Sequence, residues 1–194
     1  MEKVFNGEER EVSMEDIIKL ALSYDLASDL HENWRLTRLK EDGTYEPRMK
    51  KSKDEEWNKK HNTDDVDIAN TTFAELPSNW QYENLEAAKV VIELVYDKLV
   101  YGKQITLEDF EKMASVVHEK WLSRNNWVYG KEDGNPTLAV SYDLLPKEEQ
   151  EKDREQIDLA IRKVTSYMLG KVDANKLIEQ YNITIEETKK TKQM

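Results

Sequence analysis

Apolar residues recur along the first part of the chain at the three- and four-residue spacing of an amphipathic helix. The stripe consists of Ile17, Leu20, Ala21, Tyr24, Leu30 and Trp34. Ser13 precedes it, with Asp16 three residues later, which is typical of a capped helix start. The pattern predicts a helix that begins here and ends before Gly43, with a break or kink near residues 25–28.

The same spacing predicts further helices downstream. Thr106 and Asp109 repeat the capped start, and Phe110, Met113, Val117 and Trp121 continue it as an apolar stripe. Two more helices are predicted after Leu-Pro pairs, over residues 80–99 and 147–169, and a short one over residues 173–180. The fold class that follows is mainly α.

The connections between these helices have a different composition. Short antiparallel β pairing is predicted near residues 43–45 and 127–129, where aromatic and β-branched residues stand next to glycine. The last residues, 188–194, are expected to form a frayed tail.

One phrase occurs twice in the chain, as His31-Glu32-Asn33-Trp34 and as His118-Glu119-Lys120-Trp121. Each copy is followed by a Leu-Pro pair, at Pro77 and Pro146. When these prolines are aligned, similar residues coincide: Thr72 with Ser141, Phe73 with Tyr142, Leu76 with Leu145, Gln81 with Gln150 and Asn84 with Asp153. The sequence therefore indicates an internal duplication, and the function is expected where the two halves meet.

The duplication predicts a first repeat over residues 13–100 and a second over 104–170, followed by a C-terminal helix and tail over 171–194. Each repeat is expected to be a helix pair with a connecting loop and short strands. The first connection is longer than the second by 18 residues. This excess is assigned to a basic insertion over residues 46–65, since a loop of that length is usually functional or mobile.

Composition and charge exclude several classes of protein. The formal net charge of -11 is unfavourable for general nucleic-acid binding and for docking on anionic lipid. The chain has no cysteine, which excludes disulfides and thiol chemistry. The start of the chain is polar and acidic, without a signal-peptide core, and no apolar run is long enough to span a bilayer. A soluble cytoplasmic protein is the expectation.

No constellation in the sequence points to catalysis. His31-Glu32 and His118-Glu119 lack the second histidine of the zinc-protease helix, because Arg35 and Leu122 stand at that position. No metal site, no catalytic residue and no cofactor is predicted. Packing or capping between the helices is favoured for both histidines over a ligand or catalytic role.

The aromatic residues of the loops are the stronger candidates for binding. Trp127 and Tyr129 lie in a loop-like segment before Gly130, and rings that loops present are good surfaces for stacking a heterocyclic base. The first half keeps Tyr45 at the corresponding place but has no tryptophan there. Trp34 and Trp121, by contrast, lie on helices, where a core role is favoured.

Positive charge is concentrated in one part of the chain. Residues 35–60 contain nine basic and six acidic side chains. The segment is either a solvated loop or a patch for a compact anion, with Arg38 and Arg48 as forked donors to phosphate oxygens. In the second interpretation Lys50 adds a phosphate contact and Trp57 a stacking surface.

The second half resembles the ryanodine-receptor repeat, or RyR domain, at four motifs in order. These are the 117–121 helix, the 127–130 turn, the 136–142 segment and the Leu145-Pro146 pair that leads into an acidic and basic helix. The first half is similar to a variant repeat that carries the insertion. Together the resemblance covers about Ile17 to Met168, and the chain looks like the small free-standing RyR-domain proteins of bacteria and their phages.

The resemblance implies a pseudo-symmetric, mainly α fold that binds an adenine nucleotide or a cyclic ADP-ribose-type molecule between the repeats without turnover. In a phage, this would sequester a host immune signal. It also implies a role for Trp127 and Tyr129, with Tyr45 opposite. A protein-interaction module is the alternative, and a nucleotide hydrolase is disfavoured because no acid, base or metal set is visible. Homo-oligomerisation is left open.

Overall fold

The computed structural model of the protein describes residues 11–192, which form seven α-helices and one two-stranded sheet, joined by short 3₁₀ turns. The predicted mainly α fold class is confirmed. The elements are α1 (Met14–Leu36), β1 (Met49–Lys51), α2 (Glu55–His61), β2 (Asp65–Asp67), α3 (Ser78–Val100), α4 (Leu107–Arg124), α5 (Lys147–Met168), α6 (Ala174–Gln180) and α7 (Ile185–Lys192). The polar start of the chain, residues 1–10, and the end of the predicted tail, residues 193–194, lie outside the described residues.

Helices α1 and α4 begin with the same capping chemistry. The Ser13 hydroxyl accepts a hydrogen bond from the backbone N–H of Asp16 at 3.2 Å, and the Asp16 carboxylate accepts the backbone N–H of Ser13 at 2.8 Å. Thr106 and Asp109 make the same reciprocal pair at 3.1 Å each. The prediction of a kink near residues 25–28 is wrong: α1 continues through it, because Leu26 and Ala27 remain on the buried side of an unbroken helix.

Helices α3 and α5 each begin directly after a proline and end at a glycine. Gly102 and Gly170 have φ of +69° and +72°, the left-handed region that stops a helix at little cost only for glycine. Their N–H groups donate to the carbonyl oxygens of Leu99 and Tyr167 at 3.2 and 3.0 Å. Each predicted helix after a Leu-Pro pair is therefore present, and its end is set by local chemistry.

Helix α3 is the centre of the packing, because it contacts α1, α4 and α5. Ion pairs show the directions of the neighbours: Lys19 of α1 lies 3.1 Å from Asp97, near the end of α3, and Lys98 lies 3.4 Å from Asp109, at the start of α4. Both neighbours thus run antiparallel to α3. One contiguous core is contributed by all four long helices, with Leu22, Leu26, Ile92, Val117 and Ile157 among its buried members.

The insertion predicted over residues 46–65 contains regular structure. Met49 pairs with Asp67 and Lys51 with Asp65 in an antiparallel β1–β2 sheet, with α2 between the strands. Asp54 fastens the insertion to the core, since its carboxylate accepts the backbone N–H groups of Trp57 at 3.0 Å and of Ser78, the first residue of α3, at 3.0 Å.

The two predicted sites of β pairing have different outcomes. Tyr45 makes an antiparallel bridge with Leu39, which agrees with the pairing predicted near residues 43–45. Residues 127–129 form part of a 3₁₀ turn and not a strand. Local bonds decide this, because the N–H of Val128 donates to Asn125 and that of Gly130 to Trp127.

The C-terminal residues divide into two helices. Asp173 caps α6, so the helix predicted over residues 173–180 is confirmed. The prediction of a frayed tail is wrong for residues 188–192, which lie in α7. The Lys192 ammonium lies 2.5 Å from the Asp16 carboxylate, and the Tyr24 hydroxyl donates to the carboxylate of Glu187, so both contacts hold α7 against α1. Within residues 11–192, the helices are all too short or too polar to cross a membrane.

Candidate functional site

The two histidines of the repeated phrase are buried in matching surroundings. The Nε2 atom of His31 lies 2.7 Å from the carbonyl oxygen of Thr71, and Nε2 of His118 lies 2.7 Å from that of Val140. A carbonyl only accepts, so Nε2 carries the proton in both rings. Burial lowers the pKa of His31. Both rings hold the connection against the helix, which is the packing role that the sequence favoured.

In each half, the segment just before the proline accepts a hydrogen bond from a glutamine side chain of the following helix. The side-chain amide of Gln81 donates to the carbonyl oxygen of Phe73 at 3.0 Å, and that of Gln150 donates to Tyr142 at 2.9 Å. Both acceptors stand four residues before their proline.

One matched position differs in chemistry between the two halves. Asp153 lies with its Oδ2 atom 3.6 Å from Nδ1 of His118, buried and without a hydrogen-bond partner among the described residues. Burial, together with the nearby Glu149, raises the pKa of the Asp153 carboxyl to about 7. The aligned residue of the first half is Asn84, whose amide donates to the carbonyl oxygen of Trp80 at 3.1 Å.

The predicted aromatic turn is exposed. Trp127 and Tyr129 are 53% and 58% exposed, and the Trp127 ring meets Trp121 edge to face with 6.3 Å between centroids. The indole N–H of Trp127 donates to the side chain of Asn125 at 3.1 Å. Both rings are accessible to a ligand or a partner, as the loop placement predicted.

Two of the predicted first-half residues are engaged with their own chain. The guanidinium of Arg38 donates to the carbonyl oxygens of Glu46 and Pro47 at 2.8 and 2.9 Å. Two of its five N–H donors thus hold the loop, and the role of Arg38 as a donor to phosphate oxygens stays a prediction. The ring of Tyr45 is covered by the guanidinium of Arg35, with 4.5 Å between the guanidinium carbon and the centroid.

The other predicted residues belong to the insertion. Arg48 is exposed, and the Lys50 ammonium lies 5.5 Å from the centroid of the Trp80 ring. Trp57 stacks on His61 at 4.0 Å, donates its indole N–H to the carbonyl oxygen of Glu75 at 2.9 Å, and borders a small pocket of about 380 Å³. The structure thus brings Trp57 to a surface pocket that none of the other six predicted site residues lines.

A larger groove of about 1120 Å³ lies between α1, α3, α4 and α7. Tyr82, Glu86, Val90 and Glu93 form its floor, at the spacing of one face of α3. From Tyr82 to Glu93 this face is ~16 Å long at the helical rise per residue. None of the seven residues predicted as a ligand site lines this groove.

Basic residues outnumber acidic ones around the groove. Six basic side chains border it (Lys19, Lys89, Lys120, Arg124, Lys189 and Lys192), against three acidic ones (Asp16, Glu86 and Glu93). Five of the six are paired with carboxylates: Lys19 with Glu93 and Asp97, Lys89 with Glu86, Arg124 with Glu83, Lys189 with Glu186, and Lys192 with Asp16. The groove therefore combines apolar surface from Val90 and other residues with a rim of basic side chains, of which Lys120 alone makes no ion pair to a described residue.

Sequence reasoning missed this groove for a structural reason. Its walls come from four helices spread over residues 16–192, and no local pattern marks them as one site. The available signal in the sequence was Tyr82, an aromatic residue that lies outside the apolar stripe of α3. In the structure its side chain is 46% exposed.

The chain matches no protein-family model, no curated protein and no solved structure. Within residues 11–192, no three histidine, aspartate or glutamate side chains are grouped so that they could hold a metal ion.

Proposed function

We propose that the protein is a non-enzymatic binder of an adenine nucleotide or an ADP-ribose-derived signal, which it holds in the groove between α1, α3, α4 and α7. Binding without turnover would sequester the signal, as in viral evasion of host nucleotide-signalling immunity. The observation that carries the proposal is the groove itself, with an exposed tyrosine and a rim that bears six basic side chains.

The proposal treats the fold as two pseudo-symmetric RyR-type repeats. It draws support from the equal 2.7 Å bonds of His31 and His118 and from the matching bonds of Gln81 and Gln150. In this scheme α1 and α3 belong to the first repeat and α4 to the second. The groove is then an inter-repeat cleft, extended by α7.

The dimensions and chemistry of the groove suit such a ligand. Pockets for small molecules span roughly 300–1,000 Å³, with mostly apolar walls and a few polar groups. The groove, at about 1120 Å³, lies just above this range, so its volume is sufficient for a dinucleotide-sized molecule. Tyr82 offers a ring for an adenine base, Val90 and Leu94 offer apolar contact, and the basic rim offers partners for phosphates.

The test is binding measured by calorimetry and by thermal shift, with adenosine, ADP, ADP-ribose and cyclic ADP-ribose isomers. A ligand that binds only the native state raises the melting temperature. We expect at least one compound to do so and to be recovered intact. No stabilisation by any of them would refute the function, and steady conversion of the ligand would indicate a hydrolase.

A pair of variants tests the location. Tyr82→Ala should weaken nucleotide binding by about 1–3 kcal/mol, the contribution of base stacking on an aromatic side chain. Tyr101→Ala is the control, since Tyr101 is also exposed but does not line the groove. If Trp127→Ala weakens binding and Tyr82→Ala does not, the ligand lies at the aromatic turn instead.

A protein-interaction module is the second candidate, favoured by the exposure of Trp127 and Tyr129 on one turn. Exposed aromatic residues are enriched at protein interfaces. In that case nucleotides would leave the melting temperature unchanged. A defined complex with a partner protein would then be lost in Trp127→Ala.

A further inference from the structure

Arg124, the last residue of α4, lines the groove and has hydrogen-bond donors that are not used within the protein. Its side chain is only 17% exposed. One terminal nitrogen donates to the carbonyl oxygen of Lys120 at 3.2 Å. The Nε atom is buried and makes no hydrogen bond to any described residue. A guanidinium has five N–H donors, so most of this group's capacity is unused.

The carboxylate nearest to Arg124 neutralises it incompletely. Glu83 Oε2 lies 3.6 Å from Nε, a distance that gives electrostatic attraction without a hydrogen bond. Leaving a buried charged donor without a hydrogen bond is costly. Nε has no exposed surface, so an anion in the groove would meet the terminal N–H groups of the guanidinium and add a second counter-charge.

The neighbours of Arg124 favour an anion at the same place. Lys120 lies one helical turn earlier, and it borders the groove together with Ser123. Tyr82, next to Glu83 in the sequence, also lines the groove. A guanidinium, an ammonium and a ring are thus contributed to one end of the groove by two helices, while the Ser123 hydroxyl is engaged, since it donates to the carbonyl oxygen of Lys120 at 2.7 Å.

We infer that this end of the groove, formed by Arg124 and Lys120, is a subsite for a phosphate or pyrophosphate group. The anion binds the terminal donors of Arg124 and adds to Glu83 as a counter-charge. The inference rests on the proposed function for the rest of the ligand, which would place its base over Tyr82. The subsite itself recognises the anion alone.

Inorganic pyrophosphate is the probe, titrated by calorimetry at low salt. Arg124→Ala should weaken pyrophosphate binding by about 10- to 100-fold, the effect of losing charge-assisted hydrogen bonds. Arg124→Lys keeps the charge but lacks the forked donors, so its affinity for pyrophosphate should lie between those of the wild type and Arg124→Ala. Arg162→Ala is the matched control, because Arg162 is 74% exposed on α5, pairs with Asp158 and does not line the groove.

Glu83→Gln gives a test in the opposite direction. Removing the competing carboxylate should tighten pyrophosphate binding severalfold, a gain that a merely structural role of Arg124 would not produce. It also keeps the inference testable if Arg124→Ala fails to fold. Absence of pyrophosphate binding, an affinity equal in wild type and Arg124→Lys, or weaker binding in Glu83→Gln would each overturn the subsite.

The subsite and the proposed function fail in different ways. Pyrophosphate binding that depends on Arg124, without tighter binding of any nucleotide, would keep the subsite and refute the nucleotide function. Nucleotide binding that is equal for adenosine and ADP, and unaffected by Arg124→Lys, would keep the function and refute the subsite.

Discussion

Replacing Asp153 with asparagine should stabilise the protein at alkaline pH and have little effect at acidic pH. The carboxyl is buried beside His118, whose Nε2–H is already donated to Val140. An ionised carboxylate in this position has no hydrogen-bond partner among the described residues and lies near Glu149. Asparagine has the same shape without the charge, and Asn84 occupies the aligned position in the first half.

The magnitude follows from the pKa of Asp153, which is about 7 in the fold against an ordinary value of 3.8. Between these values the native state keeps a proton that the unfolded chain has released. The free energy of unfolding therefore falls as pH rises from about 4 to about 7, and this contribution is constant above that. At ~1.4 kcal/mol for each pH unit, the cost to the wild type reaches about 4 kcal/mol.

The assay is thermal and urea unfolding of both proteins from pH 4 to pH 8. At pH 4 the two should have nearly equal stability, while at pH 8 Asp153→Asn should melt about 10 °C higher, as expected for a chain of this size. The reciprocal variant, Asn84→Asp, should lose stability with rising pH. An advantage of Asp153→Asn that does not change with pH, or a loss of stability at pH 8, would refute the reasoning.

Three further variants test other contacts. Gly170→Ala should lower the free energy of unfolding by about 1 kcal/mol, since an L residue at φ +72° is strained while the space around it is open; an unchanged urea midpoint would contradict this. The Lys163 ammonium lies 2.6 Å from the carboxylate of Asp25 and 2.7 Å from that of Asp29, so Lys163→Ala leaves both carboxylates without this partner. This variant should lower the free energy of unfolding by about 3 kcal/mol in the same assay. A stability equal to that of the wild type would show that the three charges are fully solvated. Trp121→Ala should lower the melting temperature more than Trp127→Ala, because the second ring is 53% exposed; equal losses would mean that Trp127 is a core residue.

Much of the fold was predictable because local chemistry determines it. The capping pairs at Ser13 and Thr106 mark the starts of α1 and α4, and the prolines at 77 and 146 mark those of α3 and α5. Each signal acts within one helical turn, so it can be read without knowing the tertiary structure. The mainly α class follows from these four helices.

The features that the sequence did not predict depend on residues far apart in the chain. Helix α7 has few apolar side chains of its own, and Lys192 reaches Asp16, 176 positions away, to hold it. The groove joins Tyr82, Arg124 and α7, which only the packing of α1 and α4 beside α3 brings together. The hydrogen bonds of Arg38 could not be predicted because their acceptors are backbone carbonyls, which every residue possesses.

The contact of α7 with α1 has a consequence for handling the protein. The Lys192 ammonium also lies 3.3 Å from the carbonyl oxygen of Glu11, so the first and last described residues meet beside the groove, which Lys192 itself lines. An affinity tag or fused domain attached directly before Glu11 or after Lys192 would start at the rim of the groove. Any chain added at that place is close enough to compete with a ligand for the groove, so binding should be measured on untagged protein.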